Sequence, residues 1–196
     1  MPASNNISAK TKWIGILVAF LLIDALLVLW WHQRAENRFD QEILSAALRY
    51  GLDPALVKAV VWQESKFDAS ATGKAGEIGL MQVCEPAAEE WAEAEKLKSF
   101  SHREIFDPRK NLRAGSWYLG KLLKRYKRAD NPLPYALADY NAGRSHVLRW
   151  SKGRAETNSQ AFLAAMDFPG TKRYALAIMN RREYYQKQFG KPKSPS

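Results

Sequence analysis

An apolar stretch near the N-terminus, from Trp13 to Trp31, constrains the fold of this chain more than any other feature. It reads WIGILVAFLLIDALLVLWW, and Asp24 is its only charged residue. At a rise of about 1.5 Å per residue, a helix of this length crosses a hydrocarbon core about 30 Å thick. Tryptophans stand at both ends, where indole rings favour the membrane interface. The stretch therefore predicts a transmembrane helix over residues 13–31.

A cleaved signal peptide is the alternative interpretation of this segment. The apolar part of a signal peptide has about 7–15 residues and is followed by a small-x-small cleavage site. Here the apolar part is longer, and the sequence WWHQRAEN at its end offers no such site. An uncleaved anchor is therefore favoured.

Neither the orientation of the anchor nor the role of Asp24 follows from charge alone. Lys10 and Lys12 precede the anchor. Arg34 and Arg38 follow it, so the positive-inside rule does not decide the orientation. An aspartate at mid-bilayer costs about 2.5–3.5 kcal/mol on insertion scales. Asp24 therefore either faces a partner helix or a second copy of the chain, or is tolerated because the segment is strongly apolar.

The remaining sequence has the length and composition of one globular domain. With 196 residues and 46% hydrophobic content, the chain has room for one ordinary domain and an appendage. Composition predicts a polar, disordered N-terminus at 1–12, a charged linker at 32–40 and a disordered tail at 190–196. The N-terminus at 1–12 is expected to be cytoplasmic only as part of the membrane-anchored interpretation of the whole chain. The domain is therefore expected over residues 41–189.

The composition also restricts partners and cofactors. A formal net charge of +10 biases the chain toward polyanions, which include nucleic acids, anionic lipid surfaces and acidic cell-wall polymers. No nucleic-acid reading motif is recognisable, so we do not expect a nucleic-acid partner. Cys84 is the only cysteine, which excludes an intramolecular disulfide. No zinc-site spacing and no cofactor motif is found, so we expect neither a metal nor a cofactor; the histidines are His32, His102 and His146.

The pattern of residues 41–189 is helical, and no period-2 strand bounded by turn signals occurs. Asp53 and Asp107 are each followed by a proline, which is the arrangement of an N-cap and a first helical residue. The pattern predicts an all-α domain of about seven helices, in the segments DQEILSAALRYG, DPALVKAVVWQES, EPAAEEWAEAEKLK, DPRKNLRAGSWYLGKLLKRYK, LPYALADYNAG, SHVLRW and TKRYALAIMNRREYYQKQFG.

Glu64 is the residue with the clearest potential for chemistry. It follows Val60 and Val61 by four and three residues, so a helix places its carboxylate on their apolar face. Burial raises the pKa of a carboxyl, and a general acid at neutral pH needs such a rise. A glycine-rich loop, SATGKAGEIGLMQV, follows and supplies a flexible wall for a cleft. For an isolated glutamate, a surface position at a helix end is the commoner interpretation.

Four segments together resemble the soluble lytic transglycosylase family, a relative of goose-type lysozyme. They are GLDPALVKAVVWQESKFD, GKAGEIGLMQV, FDPRKNLRAGSWYLGKLLKRY and YALADYNAGRSHVLRW, and they run from about Tyr50 to Trp150 in the family's order and spacing. The Glu-Ser pair, the Gly-Leu-Met-Gln loop and the Tyr-Asn-Ala-Gly segment are jointly specific. The resemblance implies a lysozyme-like helical domain.

The resemblance also implies an activity. The family cleaves the β-1,4 bond between N-acetylmuramic acid and N-acetylglucosamine in peptidoglycan, and the glutamate of the Glu-Ser pair, here Glu64, is the catalytic acid and base. It protonates the glycosidic oxygen and then takes a proton from the muramyl C6 hydroxyl, which closes onto C1 and leaves an anhydromuramyl product. By the same resemblance the substrate-binding residues are Ser65, Gly79, Leu80, Met81, Gln82, Tyr140 and Asn141.

Several of these residues also have a purely structural interpretation. Ser65 ends a helix, and Asn141 is an ordinary helix-terminating residue. Leu80 and Met81 are of types found more often in the core than against a ligand. The hydroxyl of Tyr140 either packs in the core or reaches a cleft, where it would orient the catalytic carboxyl or stabilise an oxocarbenium-like centre.

The chain departs from the family pattern in ways that affect the site. Asp139 replaces the usual alanine before Tyr-Asn and adds a charge near it. Gly170 stands where the family often has a glutamate, in the pattern Pro-x-x-Glu-Thr-Arg-x-Tyr. Asp68 and Glu77 are further carboxylates near the motifs, so a two-carboxylate hydrolytic muramidase stays an alternative. A non-catalytic peptidoglycan-binding scaffold is another.

Together these observations predict a membrane-anchored lytic transglycosylase of the bacterial inner membrane. A single pass through residues 13–31 would leave the catalytic domain facing the periplasm or cell wall. The expected partners are peptidoglycan glycan strands, the membrane, and a partner helix or second copy that is contacted through Asp24.

Overall fold

A computed structural model of the chain describes residues 9–189. Within this range the regular structure is helical, apart from isolated β-bridges that join Ile78 to Thr72 and to Val83. The predicted all-α fold is confirmed. The α-helices are α1 (Ala9–Glu36), α2 (Asp40–Tyr50), α3 (Pro54–Ser65), α4 (Glu85–Ala94), α5 (Pro108–Arg125), α6 (Leu133–Ala142), α7 (Arg144–Trp150), α8 (Ser159–Ala165) and α9 (Pro169–Phe189), and two 3₁₀ helices cover His102–Phe106 and Gly153–Glu156.

Helix α1 belongs to the first of two compact units, Met1–Arg38, and the second unit is Phe39–Ser196. α1 contains the whole predicted span and continues through 32–36, the first part of the segment predicted to be a linker. By length and composition it is able to cross a membrane, a criterion that a signal sequence also meets. The apolar side chains described along its middle are exposed, from Leu17 to Val28.

The two predicted terminal segments lie partly or wholly outside the described residues. The predicted polar N-terminus covers 1–12, of which only residues 9–12 are described, and these are helical. The predicted tail, 190–196, is not described. Both stay sequence-based predictions.

The helix starts follow the local sequence signals. The Asp53 carboxylate accepts a hydrogen bond from the Ala55 backbone N–H at 2.9 Å and caps α3. Asp107 caps α5 through the Lys110 N–H, also at 2.9 Å. In both helices proline follows the cap, so both predicted starts are confirmed.

Helix α8 was not predicted from the sequence. It has only seven residues, too few for a clear apolar period. Asn158 caps it by accepting a hydrogen bond from the Ala161 N–H at 2.8 Å. Phe162 is buried and stacks on Tyr135 of α6, with ring centroids 3.9 Å apart. α8 therefore depends on tertiary packing more than on its own sequence.

Helix α3 lies at the centre of the main core. All residues from Ala55 to Val61 are buried, as expected for a helix that is enclosed on every side. α9 packs along α3 and also contacts α6, while α5 contacts α2, α4 and α6. This arrangement leaves the C-terminal end of α3, where Glu64 lies, only partly buried.

A charged residue inside this core links three helices. Lys58 of α3 has no exposed side-chain surface. Its Nζ lies 2.6 Å from a carboxylate oxygen of Asp40 in α2 and donates to the Gln188 side-chain oxygen of α9 at 3.1 Å. The aromatic rings of Tyr185 and Phe189 lie 4.9 Å and 5.4 Å from the same ammonium. Lys58 therefore joins the beginning of the domain to its last helix.

This ion pair predicts unequal costs for its two halves. Asp40→Asn is expected to destabilise the chain by about 3–5 kcal/mol, because it leaves the ammonium of Lys58 charged and buried. Lys58→Met is expected to cost less, because 25% of the Asp40 side chain is exposed and its carboxylate can be hydrated. Urea unfolding of the full chain in detergent measures both. Lys187→Met on the exposed side of α9 is the control, and equal costs for the two variants would contradict this account.

Candidate active site

Glu64 lies in the last turn of α3 and contacts α9. Tyr174 of α9 donates a short hydrogen bond from its hydroxyl to the Glu64 carboxylate. Tyr174 is almost fully buried, whereas Glu64 is only half-buried and so remains reachable from solvent. The Glu64 carboxyl is thus held by Tyr174 on one side and exposed to solvent on the other.

Burial raises the pKa of the Glu64 carboxyl from 4.5 to about 7. The hydrogen bond from Tyr174 opposes this rise because it stabilises the ionised form. The negative charge of Glu77 raises the pKa further, and the positive charge of Lys66 lowers it. Near neutral pH, Glu64 is therefore able both to give and to take a proton.

Burial also raises the pKa of Tyr174 and of Tyr140 well above 10.0, and the nearby charge of Glu64 adds to the rise in both. Both phenols therefore keep their protons at neutral pH and act as hydrogen-bond donors. The donor that reaches Glu64 is Tyr174, while Tyr140 donates to the Met81 carbonyl at 2.8 Å. In this structure the Tyr140 hydroxyl therefore does not hold the Glu64 carboxyl, and the expected contact of Tyr140 with a substrate stays a prediction.

The loop that follows α3 is held in place by the side chain of Asn111. Asn111 lies in α5 and is fully buried. Its amide oxygen accepts a hydrogen bond from the Met81 N–H at 2.8 Å. Its amide nitrogen donates to the carbonyls of Ile78 at 2.7 Å and Ile105 at 3.1 Å. One side chain thus satisfies three buried backbone groups of two segments.

Two glycines, one in the loop and one in α5, let the loop approach α5 closely. Gly79 has φ +73°, and a Cβ there would lie only 2.4 Å from the Asn111 amide nitrogen. A Cβ at Gly115 of α5 would lie 2.5 Å from the sulfur of Met81. Both positions therefore need glycine, for the backbone conformation at the first and for space at both.

Ser65 and Tyr140 bind the backbone of the same loop. The Ser65 hydroxyl donates to the Leu80 carbonyl at 2.9 Å, which ties the end of α3 to the loop. Tyr140 of α6 bonds the next carbonyl, that of Met81. These two predicted site residues are thus brought to the Gly-Leu-Met-Gln loop, where they fix its backbone.

The side chains of this loop differ in how deeply they are buried. Leu80 and Met81 have no exposed surface, and Met81 packs against Ser116 of α5, with its sulfur 3.9 Å from the Ser116 hydroxyl. In this structure both are core residues, and a ligand would contact the loop through other atoms. Gln82 is half-buried, and its amide nitrogen donates to the carbonyls of Ala71 and Gly79 at 3.1 Å and 3.0 Å.

Asn141 lies beside α9 at the exposed end of α6. Its side-chain oxygen accepts a hydrogen bond from the Thr171 hydroxyl at 2.8 Å. Thr171 is three residues before Tyr174, on the same helix. Asn141 is therefore on the α9 side of the site. Its side-chain oxygen is used by Thr171, and its amide nitrogen is the group that would donate a hydrogen bond to a ligand.

The other carboxylates near the motifs differ in their surroundings. Asp139 is buried and accepts hydrogen bonds of 2.6 Å from Arg125 and from the Tyr126 hydroxyl. The expected extra charge near the site is therefore paired with an arginine. Asp68 is exposed and bonds Ser70 in a local turn. Glu77 alone of the three acts on the pKa of Glu64.

Reasoning from the sequence did not identify Tyr174, Asn111 or Thr171 as site residues. Tyr174 ends the Thr-Lys-Arg-Tyr stretch, which parallels the end of the family pattern. This match is the sequence signal from which Tyr174 could have been predicted as a site residue. Asn111 is a polar residue in the apolar stripe of α5, four residues before Gly115. Across residues 9–189 no group of three His, Cys, Asp or Glu side chains is arranged to hold a metal ion.

The chain matches the family described as the Transglycosylase SLT domain over residues 41–163. The match covers more than half of the chain, so the chain belongs to this family, and the resemblance noted in the sequence is confirmed. The matched region includes Glu64, the glycine loop and α6. It does not include α9, which supplies Tyr174.

Known relatives and a solved structure agree with this family. The chain is 38% identical over 164 residues to a membrane-bound lytic murein transglycosylase F of Desulfosudis oleivorans, covering 79% of this chain and 32% of the relative. It is 31% identical over 123 residues to a membrane-bound lytic murein transglycosylase C of Edwardsiella ictaluri, covering 60% and 34%. The chain thus spans about a third of the length of these relatives.

An inactive mutant of the lytic transglycosylase Slt from Pseudomonas aeruginosa has a similar structure. The TM-score is 0.70 at 24% identity, and the similar region covers 78% of this chain and 24% of the other. This similarity establishes the fold.

The raised pKa of Glu64 predicts how its replacement changes stability with pH. The folded chain holds this proton up to about pH 7, whereas the unfolded chain loses it near 4.5. The stabilising contribution of the neutral carboxyl is therefore fully present below pH 4.5 and is lost as the pH rises through 7. At about 1.36 kcal/mol per pKa unit, the pKa difference between the folded and the unfolded chain corresponds to roughly 3 kcal/mol in the free energy of unfolding.

In Glu64→Gln the side chain is neutral at every pH. Its free energy of unfolding, relative to that of wild type, is therefore expected to rise by roughly 3 kcal/mol between pH 4 and pH 9. Urea unfolding of both full chains across this range measures the difference. A constant difference between the two chains would show that Glu64 has the same pKa folded and unfolded.

Tyr174→Phe is expected to raise the pKa of Glu64 above about 7, because the lost hydrogen bond favoured the ionised form. Carbon-13 NMR of the labelled carboxyl as a function of pH measures this shift. Tyr140→Phe is the matched control, since its hydroxyl bonds the Met81 carbonyl and not Glu64. A lower pKa in the Tyr174 variant would contradict the assignment.

Proposed function

We propose that this chain is a membrane-anchored lytic transglycosylase that cleaves the β-1,4 bond between N-acetylmuramic acid and N-acetylglucosamine in peptidoglycan. The observation that carries the proposal is Glu64, a half-buried carboxyl with a pKa near 7 in a chain of the transglycosylase family. The names of the relatives, lytic murein transglycosylases, support the same substrate.

The proposed reaction needs one carboxyl group that acts twice. Glu64 gives its proton to the glycosidic oxygen as the bond from C1 to that oxygen breaks. The resulting carboxylate takes the proton of the muramyl C6 hydroxyl as this oxygen bonds to C1. No water is consumed, and Glu64 ends as it began, protonated. A pKa near the working pH suits both steps, because neither protonation state is strongly favoured.

The surroundings of Glu64 support this double role. Tyr174 holds the carboxyl and stabilises it after it has lost its proton. Burial disfavours that charge and so returns the proton to Glu64 in the second step. The loop around Met81 is fixed by Asn111 next to the end of α3. Gln82 of this loop and Asn141 on the α9 side are the proposed polar contacts for the sugars.

A hydrolytic muramidase is a second candidate because of Glu77. Its charge is close enough to raise the pKa of Glu64. Its carboxylate accepts a hydrogen bond from the Ala75 N–H at 3.0 Å and lies beside Gly73, so its position is defined. A second carboxylate can activate a water molecule in a glycosidase. In that case the product would be a reducing sugar in place of an anhydro sugar.

The apolar helix α1 supports membrane anchoring. At about 1.5 Å per residue its 28 residues extend about 42 Å, enough for a bilayer core with some excess at each end. At one end the Arg34 guanidinium lies 5.3 Å from the ring of Trp30, a pair suited to the interface. We propose a single pass through the inner membrane, with the second unit on the periplasmic side.

The mass of the products tests the reaction. The wild-type chain is expected to release muropeptides that lack one water relative to hydrolysis products. Glu64→Gln is expected to reduce turnover at least about a hundredfold, because general acid catalysis alone contributes 10²–10⁴-fold. Mass spectrometry of digested peptidoglycan measures both. Glu77→Gln is the comparison. Reducing-end products from wild type, together with loss of activity in Glu77→Gln, would identify the muramidase instead. An active Glu64→Gln variant would refute both.

A further inference from the structure

Two exposed leucines of the second unit lie next to an ion pair that joins two helix ends. Among the large apolar side chains described in this unit, Leu48 at the end of α2 is the most exposed, at 68%. Leu97, in the turn after α4, is 42% exposed. The Arg49 guanidinium lies 2.5 Å from the Glu95 carboxylate, which also accepts a hydrogen bond from the Tyr50 hydroxyl at 3.0 Å. We call residues 48–49 and 95–98 the Arg49–Glu95 corner.

Basic side chains surround these leucines. Lys96 and Lys98 flank Leu97 in the sequence, and both are exposed. A groove of about 490 Å³ opens beside the ion pair, and α5 contributes Trp117, Lys121 and Lys124 to its lining. The corner, the groove and the adjoining part of α4 have five cations and three carboxylates, which leaves this surface positive; they are Arg49, Lys96, Lys98, Lys121 and Lys124, and Glu90, Glu93 and Glu95.

An anionic lipid surface matches both the charge and the exposed leucines. A lysine or arginine close to a surface of anionic lipids strengthens binding about fivefold. A leucine that enters the headgroup region leaves water, which is favourable, and an indole such as that of Trp117 also favours this region. A glycan strand with charged stems would pair with the cations but would not bury the leucines. The combination therefore favours lipid over glycan.

The covalent chain keeps the corner near the proposed membrane span. Asp40, the first residue of α2, follows the end of α1 at Glu36 by four residues, and an extended chain spans at most about 3.6 Å per residue. Leu48 lies eight residues further along α2, which is about 12 Å of helix. Leu48 is therefore at most about 26 Å from the end of α1 in any orientation of the second unit. This tether allows the corner to reach the lipid surface.

We propose that the Arg49–Glu95 corner docks on the anionic surface of the membrane, with Leu48 and Leu97 in the headgroup region and the neighbouring cations on lipid phosphates. This inference rests on the proposed membrane anchoring. Docking would restrict the rotation of the second unit on its tether, and with it the direction in which Glu64 meets the glycan.

The test measures hydrogen exchange of the backbone amides by mass spectrometry, with the full chain in lipid nanodiscs. Nanodiscs of phosphatidylcholine alone are compared with nanodiscs that also contain phosphatidylglycerol. In wild type, exchange over residues 93–100 is expected to be about threefold to tenfold slower with phosphatidylglycerol. In Leu97→Asn, and in a double variant with Lys96→Gln and Lys98→Gln, the ratio of the two rates is expected to approach one.

Leu148→Asn is the matched control. Leu148 lies on α7, is 56% exposed and precedes Arg149, so it repeats the apolar and basic pair of Leu48 and Arg49 elsewhere on the domain. This variant is expected to keep the wild-type ratio over residues 93–100. A wild-type ratio near one, an unchanged ratio in either corner variant, or an equal loss in Leu148→Asn would overturn the inference.

A second arm distinguishes lipid from substrate. Soluble glycan strands that carry peptide stems are added to the chain in phosphatidylcholine nanodiscs. If the strands slow exchange over residues 93–100 and phosphatidylglycerol does not, the corner binds substrate and the inference is overturned. Turnover of the same strands in detergent is expected to be equal in wild type and in both corner variants, because the corner contains no residue of the proposed active site.

Retention of the chain in vesicles after an alkaline carbonate wash tests the anchor separately. A chain that is retained but shows no protection at the corner would keep the proposed anchoring and refute the docking. A chain that is washed out would refute the anchoring. In that case, hydrogen exchange with phosphatidylglycerol vesicles added at neutral pH would still decide on the corner.

Discussion

The hydrogen bonds of Asn111 are the constraint on which the rest of the site depends. A loop that follows a buried helix brings unpaired backbone groups into the core, and each would be costly if left unsatisfied. The Asn111 amide pairs with Ile78, Met81 and Ile105, which holds the loop against α5. With the loop in place, its carbonyls accept the hydroxyls of two further residues from α3 and α6. The loop next to Glu64 is thus held through its backbone atoms by the side chains of Asn111, Ser65 and Tyr140.

The second determinant is the packing of α9 on α3. It buries the end of α3 around Glu64, which raises the pKa of the carboxyl, and it also brings in Tyr174, which lowers the same pKa. These opposed effects leave the value near 7, where burial alone would raise it further. The same pair of helices holds Lys58 at its other end. The contact between α3 and α9 therefore contributes both to stability and to the proton affinity of Glu64.

Sequence reasoning points to Glu64 but leaves the roles of several neighbouring residues open. Glu64 was found because an apolar helical face and a family resemblance agree on it. The roles of Tyr140 and Asp139 required the structure, since a phenol or a carboxylate has several partners within reach. Tyr140 bonds a loop carbonyl, and Asp139 pairs with Arg125. Helix α8 was missed because seven residues are too few to show a period.

The sequence by itself determined the helical class of the domain, the capped starts of α3 and α5, the apolar segment in α1 and the identity of Glu64 as the candidate acid. The first three follow from periodicity, caps and apolar length, which are local properties of the chain. The assignment of Glu64 follows from the family resemblance, with which its place on an apolar helix face agrees. Only the tertiary structure decided that Tyr174 holds Glu64, that Leu80 and Met81 belong to the core, and which charge acts on which carboxyl. Burial and pairing depend on residues far apart in the chain, here 110 positions for Tyr174 and Glu64. Local patterns carry no information on such distances.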